Sequence, residues 1–135
     1  MTAEEEFSLV SSNERDVRKL ATAAMELDHQ EICGLVGAKN QLLEVFLVRN
    51  VTTQPGRHEM DLEEIDAVRE EITKNGYKHV GYFHSHPVSE AIPSEGDLSY
   101  LQDEDLALIY DVCGDNFRLW KKKQSACKEI GFKSS

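Results

Sequence analysis

A chain of 135 residues, 40% hydrophobic and 30% charged, has the size and composition of one globular domain whose core needs no disulfide staples. Its formal net charge of −10 argues against a partner that is a nucleic acid or an anionic membrane surface, and no apolar run is long enough to span a bilayer. Cys33, Cys113 and Cys127 form no CxxC pair, and Met1 to Glu6 lacks the basic start of a signal peptide, so the expected compartment is cytoplasmic.

In chain order, Ser11, Ser12 and Asn13 offer N-caps for a helix running to about Leu27, with Val17, Leu20, Ala21, Ala24 and Leu27 forming one apolar stripe. Ile32 to Gly37 reads as a short buried strand. Leu42 to Val48 reads as a second, with Lys39-Asn40 as a hairpin turn between them. Asp61 to Asn75 is a helix with Leu62, Ile65, Val68 and Ile72 on one face, acids in its first turn and Gly76 as its stop. Tyr77 to His84 is a strand that ends in the polar run His84-Ser85-His86-Pro87. A loop leads to a short helix over Ser94 to Gln102, then strands over Leu106 to Val112 and Phe117 to Lys121, separated by Gly114-Asp115-Asn116. Ser125 to Phe132 is a candidate last edge strand. This order predicts a single α/β (α+β) domain over residues 1–135, with one mixed sheet and helices packed on it.

His84 and His86 are two apart on a strand, so both rings leave the same face and can converge on a metal ion. Pro87 restricts His86 to an extended shape and ends the strand at a loop mouth. Asp97 lies in the first turn of the next helix, where Ser94 reads as its N-cap and Glu95 and Asp97 complement the helix dipole. Two histidines, one carboxylate and a water would complete the tetrahedral shell of a catalytic zinc. Cys33 offers a rival cysteine nucleophile, although its apolar surroundings suit a small core residue better. His29, His58 and His79 show no ligand spacing, and Trp120 reads as a packed strand residue. The His-x-Glu and Pro-Cys-x-x-Cys pattern of zinc nucleobase deaminases is absent.

The run His84-x-His86-Pro87 followed by Ser94-x-x-Asp97 resembles the signature of the JAMM (MPN+, or JAB-domain) zinc metalloproteases. Glu31-Ile32-Cys33-Gly34-Leu35 resembles the upstream glutamate segment of short prokaryotic members, as does the stretch from Arg49-Asn50 through Arg57-His58-Glu59-Met60-Asp61. The resemblance covers roughly Glu31 to Trp120, with the motif region at 31–97. It implies an MPN/JAB-like fold with a curved mixed β-sheet flanked by helices. It also implies one Zn2+ per chain on His84, His86 and Asp97, with Glu31 as general base and Ser94 as oxyanion donor. The family cleaves amide bonds at the C-terminal tails of ubiquitin-like proteins, and short prokaryotic members process β-grasp sulfur-carrier proteins or reverse ubiquitin-like conjugation. The expected activity is therefore a zinc isopeptidase or peptidase. The alternative is a zinc-binding scaffold of the same fold with little turnover.

Charge is distributed unevenly. Pro87 to Phe117 holds eight acidic residues and no Lys or Arg, while Lys121, Lys122 and Lys123 follow together. One reading is a solubilising face. The other is an acidic rim for the basic part of a substrate tail, whose extended end would pair with an exposed strand edge near His84.

Overall fold

The structure, a computed structural model, describes residues 6–52 and 57–134. Residues 1–5, which carry most of the expectation about a leader segment, lie outside the described residues.

The elements are β1 (Glu6–Leu9), α1 (Ser11–Glu26), β2 (Cys33–Lys39), β3 (Leu42–Val48), α2 (Leu62–Lys74), β4 (Lys78–His86), α3 (Glu95–Ser99), β5 (Leu106–Asp111), β6 (Asn116–Lys123) and β7 (Ala126–Lys133). The sheet is mixed, as expected, and it closes on itself as a barrel in the order β1-β3-β2-β4-β5-β6-β7. Closure changes two expectations. The last strand is no edge: β7 pairs antiparallel with β6 and parallel with β1. Nor is there a free edge near His84, because β4 is bonded to β2 on one side and to β5 on the other as far as His86↔Asp111.

The core is divided by the barrel wall. Inside, Val36, Leu43, Phe83, Leu108 and Leu119 cluster with Val17 and Ala21 of α1. Outside, Leu35, Phe46 and Val48 pack under Val68 and Ile72 of α2. The period of two in a strand drives this division, with Leu35 facing out and Val36 facing in. The predicted caps of α1 are displaced. Val10 occupies the cap without a side-chain bond. Asn13 instead binds the backbone of Val45 through both ends of its amide, at 3.0 and 2.8 Å, tying α1 to β3. The end of α2 is as expected: Gly76 takes φ +79°, with Gly76 N–H donating to Thr73 and Tyr77 N–H to Ile72 in a Schellman arrangement.

Gly34 explains itself by close approach. A Cβ there would lie 2.4 Å from the Phe46 carbonyl oxygen, so only glycine lets β2 sit against β3 directly behind Cys33. No described helix is long and apolar enough to cross a membrane.

Candidate active site

On β4, Phe83 enters the inner cluster while Tyr82 packs against the outer one. Alternation therefore puts His84 and His86 on the outer face with Tyr82. Both are buried, at 1% and 6% exposure. The loop after Pro87 returns the chain as α3, which brings Asp97 over them. Ser94 begins that helix with a capping box: its Oγ accepts from Asp97 N–H at 3.2 Å, and Asp97 Oδ2 accepts from Ser94 N–H at 2.8 Å. The same bonds that start the helix thus fix the Asp97 carboxylate. At the other end of α3, Lys122 of β6 donates to the carbonyls of Leu98 (2.9 Å) and Leu101 (2.8 Å).

Three ligand atoms converge. His84 Nε2 lies 2.9 Å from His86 Nε2 and 3.1 Å from Asp97 Oδ2, and His86 Nε2 lies 3.3 Å from the same oxygen. Tetrahedral zinc with bonds of about 2.0–2.1 Å would hold its ligands roughly 3.3 Å apart. The protonation pattern also fits a cation. His86 Nδ1 is 2.7 Å from the Glu90 carbonyl oxygen, which can only accept, so Nδ1 carries the proton. In the neutral ring, Nε2 then turns a lone pair toward a carboxylate oxygen and another imidazole nitrogen. Burial pushes the His84 pKa down. Burial opposes the charge on Asp97 too, but hydrogen bonds from His84 and His86 outweigh it and hold the carboxyl well below the usual range. His86 is pushed up: burial works against its charge, but the Asp97 bond and the Glu90 carbonyl outweigh burial. A proton on His86 is therefore what a metal ion would displace.

Glu31 sits in the coil just before β2, buried at 7% exposure. Its Oε1 is 2.8 Å from His58 Nδ1. His58 stacks on His84 with ring centroids 4.6 Å apart, and its Nε2 is 3.2 Å from the Tyr100 hydroxyl. The expectation that His58 stands apart from the site is thus overturned. A ring nitrogen of His58 also comes within 4.8 Å of ligand atoms on His84 and Asp97. Both of its nitrogens are engaged outside that group, by Glu31 and Tyr100, whereas His86 Nε2 points at His84 and Asp97, at 2.9 and 3.3 Å. His79 is held by the Gly81 carbonyl and His29 lies in the turn after α1. Glu31, His58, His86, Ser94, Asp97 and Tyr100 line one cavity of about 830 Å³, with Arg57 and Glu90 at its wall.

Cys33 is buried behind the site, with its thiol aimed at the Val48 carbonyl. Burial, reinforced by the Glu31 charge, pushes its pKa up to about 12, which is wrong for a nucleophile. The acidic stretch is largely consumed within the fold. Glu104 pairs with Lys121 and Lys123, Asp115 with Arg18, and Asp103, Asp105 and Asp111 accept backbone N–H groups of Gln124, Gln102 and Gly114.

A sequence profile of the prokaryotic homologs of the JAB domain matches residues 13–123. A desampylase from Pyrococcus furiosus is 42% identical over 69 residues, covering 50% of this chain and 49% of that protein. A desampylase from Haloferax volcanii is 35% identical over 93 residues, 66% of each chain. The chain thus spans about half to just under two-thirds of the length of these curated relatives. Among solved structures, a JAB1/MPN domain protein from Archaeoglobus fulgidus shares the fold, with a TM-score of 0.57 at 17% identity, covering 95% of this chain and 98% of that one.

Proposed function

The chain belongs to the family of prokaryotic homologs of the JAB domain, and on that premise we propose that it is a zinc-dependent isopeptidase acting at the C-terminal tail of a ubiquitin-like or β-grasp sulfur-carrier protein. The observation that carries this reading is the convergence of His84 Nε2, His86 Nε2 and Asp97 Oδ2 beside a buried glutamate in an open cavity. The similarity to two desampylases supports the choice of substrate class.

His84, His86 and Asp97 would hold one Zn2+. Bound there, it would supply Lewis-acid polarisation of the scissile carbonyl and lower the pKa of a water toward about 7. Glu31 takes the proton from that attacking water and returns it to the leaving amine nitrogen. Its Oε1 is occupied by His58, which leaves the other carboxylate oxygen for the proton. Ser94 keeps its hydroxyl proton while Oγ accepts the cap bond, so it can donate to the oxyanion that forms on the carbonyl oxygen. A tail ending in Gly-Gly suits the cavity because no side chain hinders the backbone's approach. With β4 paired on both sides, the tail would lie between the 87–93 loop and Tyr100 instead of adding to the sheet beside His84.

The experiment is cleavage of a ubiquitin-like protein joined through Gly-Gly to a lysine side chain, by the native chain and by Glu31→Gln. The expected result is loss of turnover by roughly two to four orders of magnitude with zinc retained. Zinc binding without cleavage by the native chain would favour the scaffold alternative.

A further inference from the structure

We propose that His58, itself held by Tyr100, is a positioning residue that orients the Glu31 carboxylate for proton transfer. The inference rests on the zinc-isopeptidase reading above and deepens it.

Glu31 lies in coil, not in β2, and its backbone carbonyl accepts a hydrogen bond from Asn50 Nδ2 at 2.9 Å. Nothing in that tie fixes the side chain, which has three rotatable bonds. The contact that does is His58 Nδ1 on Oε1 at 2.8 Å, between side chains exposed by only 9% and 7%. An ionised carboxylate accepts hydrogen bonds and cannot donate them, so the His58 proton sits on Nδ1. Nε2 is then an acceptor, and the Tyr100 hydroxyl at 3.2 Å supplies the proton for it. The chain of donors runs Tyr100 O–H to His58 Nε2, then His58 Nδ1–H to Glu31. Burial pushes the Tyr100 pKa up, which keeps that hydroxyl protonated.

The ring has no freedom left. One face stacks on His84 at 4.6 Å with planes 20° apart, and Tyr100 meets it edge-on at 5.8 Å and 89°. A side chain that is clamped on its face and on both nitrogens transmits its own position to the carboxylate it holds. Near-attack geometry for proton transfer tolerates errors of only a fraction of an ångström, so loosening this bond slows chemistry more than it weakens binding. The competing view makes His58 a metal ligand with His84 and Asp97, because its ring comes within 4.8 Å of theirs. The two views differ in what happens to zinc.

The test uses the full chain loaded with zinc and a ubiquitin-like protein bearing a C-terminal aminocoumarin amide. His58→Ala should lower kcat by about 10- to 100-fold, the scale of a lost supporting partner, with KM within about twofold and one zinc per chain by elemental analysis. His58→Asn, whose amide nitrogen can replace Nδ1 as donor, should recover most of that loss, and Tyr100→Phe should lower kcat by less than His58→Ala. Independently of turnover, long-range ¹H–¹⁵N spectra of the native protein should show His58 as the Nδ1–H tautomer. Loss of zinc in His58→Ala, equal damage from Ala and Asn, or an Nε2–H tautomer would overturn the proposal. If the native chain bound zinc but cleaved nothing, the isopeptidase reading would fail while the tautomer spectrum still decided the hydrogen-bond chain.

Discussion

Trp120 and Ala91 are joined by a hydrogen bond of 2.9 Å from the indole Nε1 to the backbone carbonyl, which ties β6 to the loop between Pro87 and Ser94. Ala91 is buried, so its carbonyl has little access to water as an alternative partner. Together with Lys122 at the far end of α3, this bond fixes the segment that carries Ser94 and Asp97. Trp120→Phe is expected to cost about 1–3 kcal/mol by leaving that carbonyl unsatisfied. It should also weaken zinc binding about 3- to 30-fold, because Asp97 loses its support. Lys122→Met should behave alike and Lys122→Arg less severely. Urea denaturation and chelator competition measure the two effects. Trp120 is the single tryptophan, so its emission should shift as zinc enters.

One zinc per chain is expected, with His86→Ala abolishing stoichiometric binding. Without His86, only His84 Nε2 and Asp97 Oδ2 of the close set remain, 3.1 Å apart, while His58 stays engaged by Glu31 and Tyr100. The chain should stay folded without metal, because the inner and outer cores do not depend on the site. Elemental analysis checks the first expectation, and far-UV circular dichroism after chelation checks the second.

Ser94→Ala should lower kcat by about two to three orders of magnitude, the scale of one oxyanion donor. It should also remove the cap bond to Asp97, with a stability loss of about 0.5–2 kcal/mol. Ser94→Asp separates the roles, since aspartate caps a helix but offers no hydroxyl donor. It should keep stability near the native value and stay inactive in the same cleavage assay.

Cys33 should resist thiol reagents in the native state. With a pKa near 12, its thiolate fraction at pH 8 is on the order of one in 10⁴, and the residue is buried as well. Exposed Cys113 should label first. Cys33→Ala should retain cleavage activity, and mass spectrometry after limited alkylation follows the order of labelling. An activity loss as large as that of Glu31→Gln would revive the cysteine-nucleophile mechanism.

The convergence of His84, His86 and Asp97 was legible because their placement follows local rules: period two puts His84 and His86 together, and the cap at Ser94 places Asp97. His58 and Tyr100 follow no local rule. They reach Glu31 and each other across 27 and 42 residues; the Arg57-His58-Glu59-Met60 resemblance touched His58 alone, and nothing pointed to Tyr100. Barrel closure escaped for a similar reason. β1 is four residues long and its pairing with β7 joins the two ends of the chain. Asn13 reads as a cap in isolation, but the Val45 backbone offers it two bonds where a helix start offers one. Glu104 of the acidic run finds its counter-charges, Lys121 and Lys123, on a neighbouring strand, and Asp115 finds Arg18 on α1, pairings that no local rule shows.

The parallel pairing of β1 with β7 also bears on the speed of folding. Glu6 and Gly131 are far apart in sequence, and contacts between such distant residues form slowly. β1 is also bonded to β3 over a much shorter separation, at Ser8↔Leu42, whereas β2 meets β4 at Cys33↔His84. Closing the β1–β7 seam is therefore the step expected to be slow, and refolding followed with and without zinc should show a slow phase that the metal leaves unchanged.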